Sequence, residues 1–317
     1  MEALAAGMPA AFHLWVLAAG LVVGSFLNVV IARVPKGQSI VSPGSRCPRC
    51  GTPIAWYDNI PVVSWLLLRA KCRKCGAPIS IRYPLVELLT GVLAVAIVRQ
   101  LGPTWTALGM FAFAAGLVAL AYIDVDTWLL PHQITWPLLA VGLLSPLWNP
   151  QLSFISSGIG AGVGFGLFAA IALLGEKVLK RETMGWGDVW LLAGIGAWLG
   201  WECLLPVVML SALQGAVVGI VLILAGRDPA ARQPPPSMPP APPSPLETPP
   251  LPLEVPPPQP QMLTPEPPAP APADMEWVPP RHAVPYGPFL ALAALEYLLA
   301  GRRVGEAWDL LVRRLVP

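Results

Sequence analysis

Two sets of residues in this 317-residue chain have the types and spacing to do chemistry. The first is a pair of aspartates. Asp188 closes the run Gly185-Trp186-Gly187-Asp188 and stands where an apolar stretch begins; Asp124 stands where another one ends. A carboxylate at the edge of a membrane helix is costly and is a functional residue by default. Two carboxylates about 3 Å apart cannot both ionise comfortably, so such a pair holds one proton. One carboxylate can then deprotonate water while the other protonates a peptide carbonyl and later the leaving amine, which is aspartic protease chemistry. The pair titrates as a unit, so acid and base roles are not assigned to single residues. Gly185 and Gly187 carry no side chain and reach φ > 0 freely, so a substrate backbone could come close to Asp188. Helix capping is the competing reading. It is reasonable for Asp188 as an N-cap and weak for Asp124, because a carboxylate is unfavourable at a helix C-terminus. Spacing alone leaves both readings open.

The second set is Cys47-Pro48-Arg49-Cys50 and Cys72-Arg73-Lys74-Cys75, two CxxC pairs with 21 residues between them. Each CxxC favours a tight turn that aims both sulfurs at one point, and four thiolates satisfy tetrahedral Zn²⁺. Pro48 stiffens the first turn, Gly76 follows the second, and the surrounding Lys and Arg offset thiolate charge. Two disulfides are the alternative, which a reducing cytoplasmic loop disfavours. A closed four-sulfur site has no open position for water, so the expected role is structural. Cys203 lies in an apolar run and reads as a small core residue.

Other polar residues in or near the apolar runs have plainer readings. Asp126 rivals Asp124 but lies two residues further out and reads as solvated. Glu87 could cap a helix or pair with a loop cation, Asn28 reads as an interhelical hydrogen bond, and His132 as a solvated loop residue.

The elements that must position these residues are membrane helices. The chain is 55% apolar and only 12% charged, with net charge +2 and mean hydropathy +0.62, far from the soluble balance of about 25% charged residues. Repeated apolar runs near the length of a bilayer span predict an all-α polytopic membrane protein of about eight helices. The runs are 12–34, 84–101, 104–124, 134–149, 153–176, 188–201, 203–225 and 286–300; the fourth contains Pro137 and Pro146, and the sixth is short. The first lacks a basic flank before it and reads as a membrane helix rather than a cleaved signal.

The organisation follows from the same runs: a first helix in 1–34, a four-cysteine loop domain in 35–82, a helical core in 83–228, and a linker in 229–280. A last helix in 281–300 and an amphipathic tail in 301–317, with Val304, Trp308, Leu311 and Leu315 on one face, complete it. In the linker, 23 of 52 residues are proline. Such a segment forms neither helix nor sheet and reads as an extended, passive spacer. The cysteine loop carries Lys36, Arg46, Arg49, Arg69, Lys71, Arg73, Lys74 and Arg82 against the single acid Asp58. Positive loops stay in the cytoplasm. With eight spans this puts the loops after 124 and 176 on that side too, so Asp124 and Asp188 fall at one membrane face. The tail, with Arg302, Arg303, Arg313 and Arg314, would then lie outside, against the rule; an odd number of spans would reverse it.

The motifs in order are Gly24-Ser25-Phe26-Leu27-Asn28, the paired CxxC, Arg82-Tyr83-Pro84-Leu85-Val86-Glu87, Ile123-Asp124 leading to Leu130-Pro131, Gly185-Trp186-Gly187-Asp188, and Pro285-Tyr286-Gly287-Pro288. Together they resemble the bacterial type IV prepilin peptidases, membrane aspartic proteases of the GxGD type. The resemblance covers nearly the whole chain outside 229–280 and the tail. It implies an inner-membrane enzyme that cuts the leader from prepilins and pilin-like secretion proteins after a glycine, then N-methylates the new amino terminus with S-adenosylmethionine. It maps the catalytic aspartates onto Asp124 and Asp188 and the zinc ligands onto Cys47, Cys50, Cys72 and Cys75, in a domain associated with methylation. The expected partners are these pilin substrates and the lipid bilayer, with no nucleic acid. His132 departs from the Asp common after Leu-Pro in this family. The methyl-donor site is not assigned by any glycine-rich motif in the loop. A proton- or cation-coupled transporter using the acid pair is the competing class, and no internal repeat points to it.

Overall fold

The structure, a computed structural model, describes residues 9–180, 184–225 and 284–315. The proline-rich segment 229–280 lies outside the described residues, as do the side chains of the tail from 302 onward. Helices account for nearly all regular structure: α1 (Ala10–Arg33), α2 (Val63–Leu67), α3 (Arg82–Leu101), α4 (Trp105–Thr127), α5 (His132–Leu144), α6 (Phe154–Leu179), α7 (Trp186–Leu199), α8 (Leu204–Leu224) and α9 (Gly287–Leu315). Among the described residues there is no strand, only two isolated bridges in the cysteine loop.

Five stretches are long and apolar enough to cross a membrane: Ala10–Lys36, Arg82–Leu101, Trp105–Thr127, Phe154–Val178 and Trp201–Leu224. Gly287–Gly301 is a shorter apolar helix. With α5 and α7 this makes the eight apolar helices that the hydropathy predicts. The two soft assignments prove short: α5 has 13 residues and α7 has 14. At 1.5 Å per residue each covers about 20 Å, less than the hydrocarbon thickness of about 30 Å.

One unit comprises residues up to Val217 together with Pro285 onward. Its centre is α4 and α7. Phe113, Leu117, Leu120 and Ile123 of α4 are fully buried, as are Leu191, Leu192 and Ile195 of α7, and Phe113 stacks on Trp198 at 5.2 Å between ring centroids. Burial of one apolar side chain against another gains little over lipid, so close packing must hold the helices together. Small residues permit it. Gly20 and Gly24 of α1 lie against Gly91, Ala94 and the backbone at Glu87 of α3, and Gly160 of α6 meets Gly196 of α7 backbone to backbone. Asn28 donates from Nδ2 to the Tyr83 carbonyl at 3.2 Å, tying the end of α1 to the start of α3. Trp198 donates from its indole to the Leu138 carbonyl at 2.8 Å, tying α7 to α5. Cys203 is buried in this core.

The ends of α4 are set locally. The Thr104 hydroxyl accepts the Ala107 N–H at 3.1 Å as an N-cap. At the other end Trp128 adopts φ 57 and donates its N–H to the Asp124 carbonyl at 2.9 Å. This left-handed turn stops the helix and sends the chain into Leu129-Leu130-Pro131.

Candidate active site

Three helix ends converge on the two aspartates. Asp124 lies in the last turn of α4, 5% exposed, and its carboxylate accepts the N–H of Gly287, the first residue of α9. Asp188 is the third residue of α7 and lies within electrostatic reach of Asp124. Its Oδ1 is buried with no hydrogen-bond partner among the described residues. Both carboxylates thus sit at helix N-termini, Asp188 in the first turn of its own helix and Asp124 against that of α9. The partial positive charge there offsets part of the cost of placing acids in a membrane bundle.

Neither residue caps its own helix, although Asp124 meets the first N–H of α9. The N-cap of α7 is Gly185, and no side chain caps that end. Asp124 is followed by three more helical residues, and its side chain serves α9 rather than α4. A buried carboxylate oxygen without a partner is costly, and Asp188 Oδ1 keeps its acceptor capacity free.

The two glycines of Gly185-Trp186-Gly187-Asp188 part company. A Cβ on Gly187 would stand 2.6 Å from Leu130 Cβ, so this glycine is needed for packing, not for substrate approach. A Cβ on Gly185 would meet no described atom nearer than Asp188 Oδ2 at 3.8 Å, so this glycine is not required by packing among the described residues; its φ of −69 makes no use of left-handed freedom. Leu130 was not singled out by the sequence. It is buried, and it packs against the Cβ positions of both Gly187 and Gly287, filling the gap between α7 and α9. The signal for it was an apolar residue fixed between the turn after Asp124 and Pro131. Tyr286 was likewise quoted only within a motif. Its hydroxyl lies 2.5 Å from Ser211 Oγ on α8, and it senses the charge of Asp188.

Asp126 is the structural acid of the pair Asp124 and Asp126. It is exposed and bonded to Arg82 Nη1 at 2.7 Å. Arg82 Nη2 also donates to the Tyr122 carbonyl at 3.1 Å, and the guanidinium lies over the Tyr122 ring at 4.8 Å. Three contacts from the first residue of α3 therefore hold the turn of α4 that carries Asp124. His132 is exposed and stacks on Trp136 at 5.1 Å. Glu87 neither caps its helix nor meets a cation: it is buried and accepts the Val62 N–H at 2.7 Å, anchoring the cysteine loop to α3.

The loop folds as two like turns, Arg46–Ile54 and Lys71–Ile79. In the first, Cys47 N–H donates to Thr52 O and Gly51 N–H to Cys47 O, both at 2.9 Å; in the second, Cys72 N–H donates to Ala77 O at 2.8 Å and Gly76 N–H to Cys72 O at 2.9 Å. Gly51 and Gly76 take φ 68 and 69, a left-handed conformation that favours glycine. Gly76 was legible in the sequence; that Gly51 matches it, in a repeated Cys-x-x-Cys-Gly-x-Pro-Ile, is the signal that fixes both turns. The four sulfurs converge within 4.8 Å of one another, so Cys47, Cys50, Cys72 and Cys75 can hold a metal ion as one group. All are free, and none is paired as a disulfide. The Thr52 hydroxyl and backbone N–H bring the Cys50 thiol down to about 6, and the backbone N–H groups of Cys75 and Lys74 hold Cys72 below its ordinary value. These two shifts favour the thiolates that a metal needs, whereas, against the lowering bond from the Ala77 N–H, burial and the neighbouring cysteines push Cys75 up to about 11. Arg73 ties the second turn to the segment after the first by a forked bond to Asp58, at 2.9 and 2.6 Å.

A helical bundle that brings two aspartates to the N-termini of two helices, under a four-cysteine loop module, defines a membrane protein with a protease-like acid pair. Residues 18–101 match the bacterial peptidase A24 N-terminal domain and residues 111–220 the type IV leader peptidase family. The cysteines fall in the first match and both aspartates in the second. The chain is 46% identical over 307 residues, 92% of this chain and 90% of the other, to a prepilin leader peptidase/N-methyltransferase of Myxococcus xanthus. A protein of the same description from Aeromonas hydrophila is 42% identical over 70% of this chain and 84% of its own. One from Burkholderia pseudomallei is 39% identical over 71% and 80%. The chain belongs to the type IV leader peptidase family and is a multi-pass membrane protein. The transporter reading finds no support in these matches. No solved structure matches the chain.

Proposed function

We propose that this chain removes the leader of type IV prepilins and pilin-like secretion proteins with the pair Asp124 and Asp188, and N-methylates the amino terminus that the cut exposes. The observation that carries the cleavage is the convergence of the two carboxylates at the ends of α4 and α7, with Asp188 Oδ1 buried and unpartnered among the described residues. Sharing one proton, the pair activates a water with one carboxylate while the other donates to the scissile carbonyl and then to the leaving amine. The N-terminus of α9, already bonded to Asp124, keeps that carboxylate oriented. Gly185, which packing among the described residues does not require, would let an extended substrate approach Asp188.

This end of the bundle faces the cytoplasm at a bacterial inner membrane in this reading, and the positive charge of the cysteine loop supports that orientation. A prepilin, with a basic leader and an apolar segment behind it, presents its scissile bond at that level. Cys47, Cys50, Cys72 and Cys75, with sulfurs within 4.8 Å of one another, would hold Zn²⁺, and a four-thiolate ion would stabilise the module and leave hydrolysis to the aspartates. S-adenosylmethionine supplies the methyl group. The N-methyltransferase activity rests on the descriptions of the relatives at 46% and 42% identity.

Incubating the purified chain with a prepilin-like peptide and S-adenosylmethionine, then weighing the products by mass spectrometry, tests both halves. Leader loss and a CH₂ increment on the new terminus are expected. An intact peptide at all times refutes the proposal, and cleavage without the increment refutes its second half.

A further inference from the structure

Tyr286 is held on four sides next to the acid pair. Its carbonyl accepts the N–H groups of Phe289 and Leu290, at 3.0 and 3.2 Å, in the first turn of α9. The next N–H along the chain, that of Gly287, goes to Asp124. The ring centroid lies 6.0 Å from that of Phe168, a fully buried residue of α6. The hydroxyl lies 2.5 Å from Ser211 Oγ on α8.

The direction of this last bond is fixed by its neighbour. Ser211 Oγ donates to the Val208 carbonyl at 3.0 Å. A hydroxyl has one proton to give, so Ser211 accepts and Tyr286 donates. The phenol proton therefore points at α8, and what Tyr286 keeps for other groups is a lone pair. The charge of Asp188 acts on this same phenol, and Asp188 Oδ1 is an acceptor without a partner among the described residues. An ionised carboxylate and a phenol whose proton is already spent cannot bond one another; a group with two protons satisfies both. Of the groups that take part in peptide hydrolysis, water is the one that carries two protons on one oxygen.

We propose that Tyr286 is a third catalytic residue for leader cleavage, accepting a hydrogen bond from one O–H of the hydrolytic water while Asp188 accepts one from the other; this rests on the assignment of the acid pair to cleavage. Held at two points, the water directs a lone pair at the scissile carbonyl, and orientation of this kind supplies a large share of a hydrolytic rate. In the attack the water oxygen bonds to the carbonyl carbon. One water proton passes to the acid pair, which gives the proton it held to the carbonyl oxygen. The second water proton stays on the new hydroxyl, still bonded to Tyr286, and the result is a neutral gem-diol. As the C–N bond breaks, the pair protonates the leaving nitrogen and regains a proton from one hydroxyl of the diol. Tyr286 gains and loses no proton; it orients the nucleophile.

The test assays the full-length chain in detergent on a prepilin-like peptide, with variants that elute as wild type does in gel filtration. Tyr286→Phe keeps the ring against Phe168 and removes only the oxygen. Its kcat for leader loss is expected to fall about tenfold, the loss of one hydrogen bond, with KM little changed. Ser211→Ala breaks the same tie between α8 and α9 but leaves the phenol oxygen in place, and is expected to lower kcat clearly less. A peptide fluoroketone, whose hydrate mimics the gem-diol, is expected to bind Tyr286→Phe about tenfold more weakly than wild type, while both bind the leader product alike. Wild-type kcat in Tyr286→Phe overturns the assignment. So do equal losses in Tyr286→Phe and Ser211→Ala, which make the pair a tie between helices, and so does equal affinity for the fluoroketone. In each of these cases the wild-type chain still cleaves and the acid pair stands. No cleavage by the wild-type chain overturns the acid-pair reading and the role of Tyr286 with it.

Discussion

The Asp124 carboxylate accepts the backbone N–H of Gly287. This one bond joins the end of α4 to the start of α9, two elements separated by more than half the chain. It gives the acid a fixed orientation and a favourable dipole, and it leaves almost no space: a Cβ on Gly287 would stand 2.6 Å from Asp124 Oδ2.

The acid pair predicts its own loss. Asp124→Asn or Asp188→Asn removes the shared proton and with it the general acid and base. Leader cleavage is expected to fall by about a thousandfold or more, in protein that still inserts, as measured on a prepilin in membranes. Near-normal cleavage by either variant would remove that aspartate from the mechanism.

Gly287→Ala tests the bond that opens this section. The added methyl meets Asp124 Oδ2 and Leu130 Cδ1, and must push the carboxylate or the start of α9 aside. Displacement of a reacting group by about 1 Å costs on the order of a hundredfold, so kcat is expected to drop far more than the melting temperature. Unchanged kcat shows that Asp124 does not need this orientation.

Arg82 is a positioning residue for the same turn. Arg82→Gln loses the Asp126 ion pair and the charge over the Tyr122 ring. The ion pair is about one third exposed, so a double-mutant cycle with Asp126→Asn is expected to give a coupling of about 0.2–1 kcal/mol in stability. The loss in kcat is expected to exceed that coupling, with KM little changed. Loss of stability and kcat in equal measure makes Arg82 merely structural.

The cysteine module predicts a response to metal removal. Each single Cys→Ser at 47, 50, 72 or 75 removes one ligand from a closed four-sulfur group and is expected to lower zinc content measured by atomic spectroscopy. It is also expected to increase proteolysis of the loop, because in such modules metal binding is folding free energy. Cleavage by the acid pair is expected to fall less than zinc content does. Purified wild-type chain without zinc at neutral pH contradicts the metal site.

Much of this was legible because membrane helices announce themselves. Apolar runs give the eight helices, five of them at full spanning length, and the repeated Cys-x-x-Cys spacing gives the metal cluster, since local turns decide where those sulfurs point. Asp124 and Asp188 stood out because an acid at a membrane edge must have a reason to be there. The order of the motifs indicated the family, which the similarity to curated relatives then established. The short helices were less clear: Pro137 lies inside α5, and α7 ends at Gly200 with φ 86, so neither follows the length rule.

What the sequence could not decide was which groups meet across the bundle. It gave Gly187 to the substrate, whereas packing gives it to Leu130; it offered Glu87 a cation or a helix end, whereas the fold gives it the Val62 N–H. It placed Asp124 at an unfavourable helix C-terminus, and the tertiary structure supplies the N-terminus of another helix. Hydropathy and turn chemistry act over a few residues and can be read along the chain. The contacts of a buried carboxylate depend on distant backbone, and those exist only once the helices have packed.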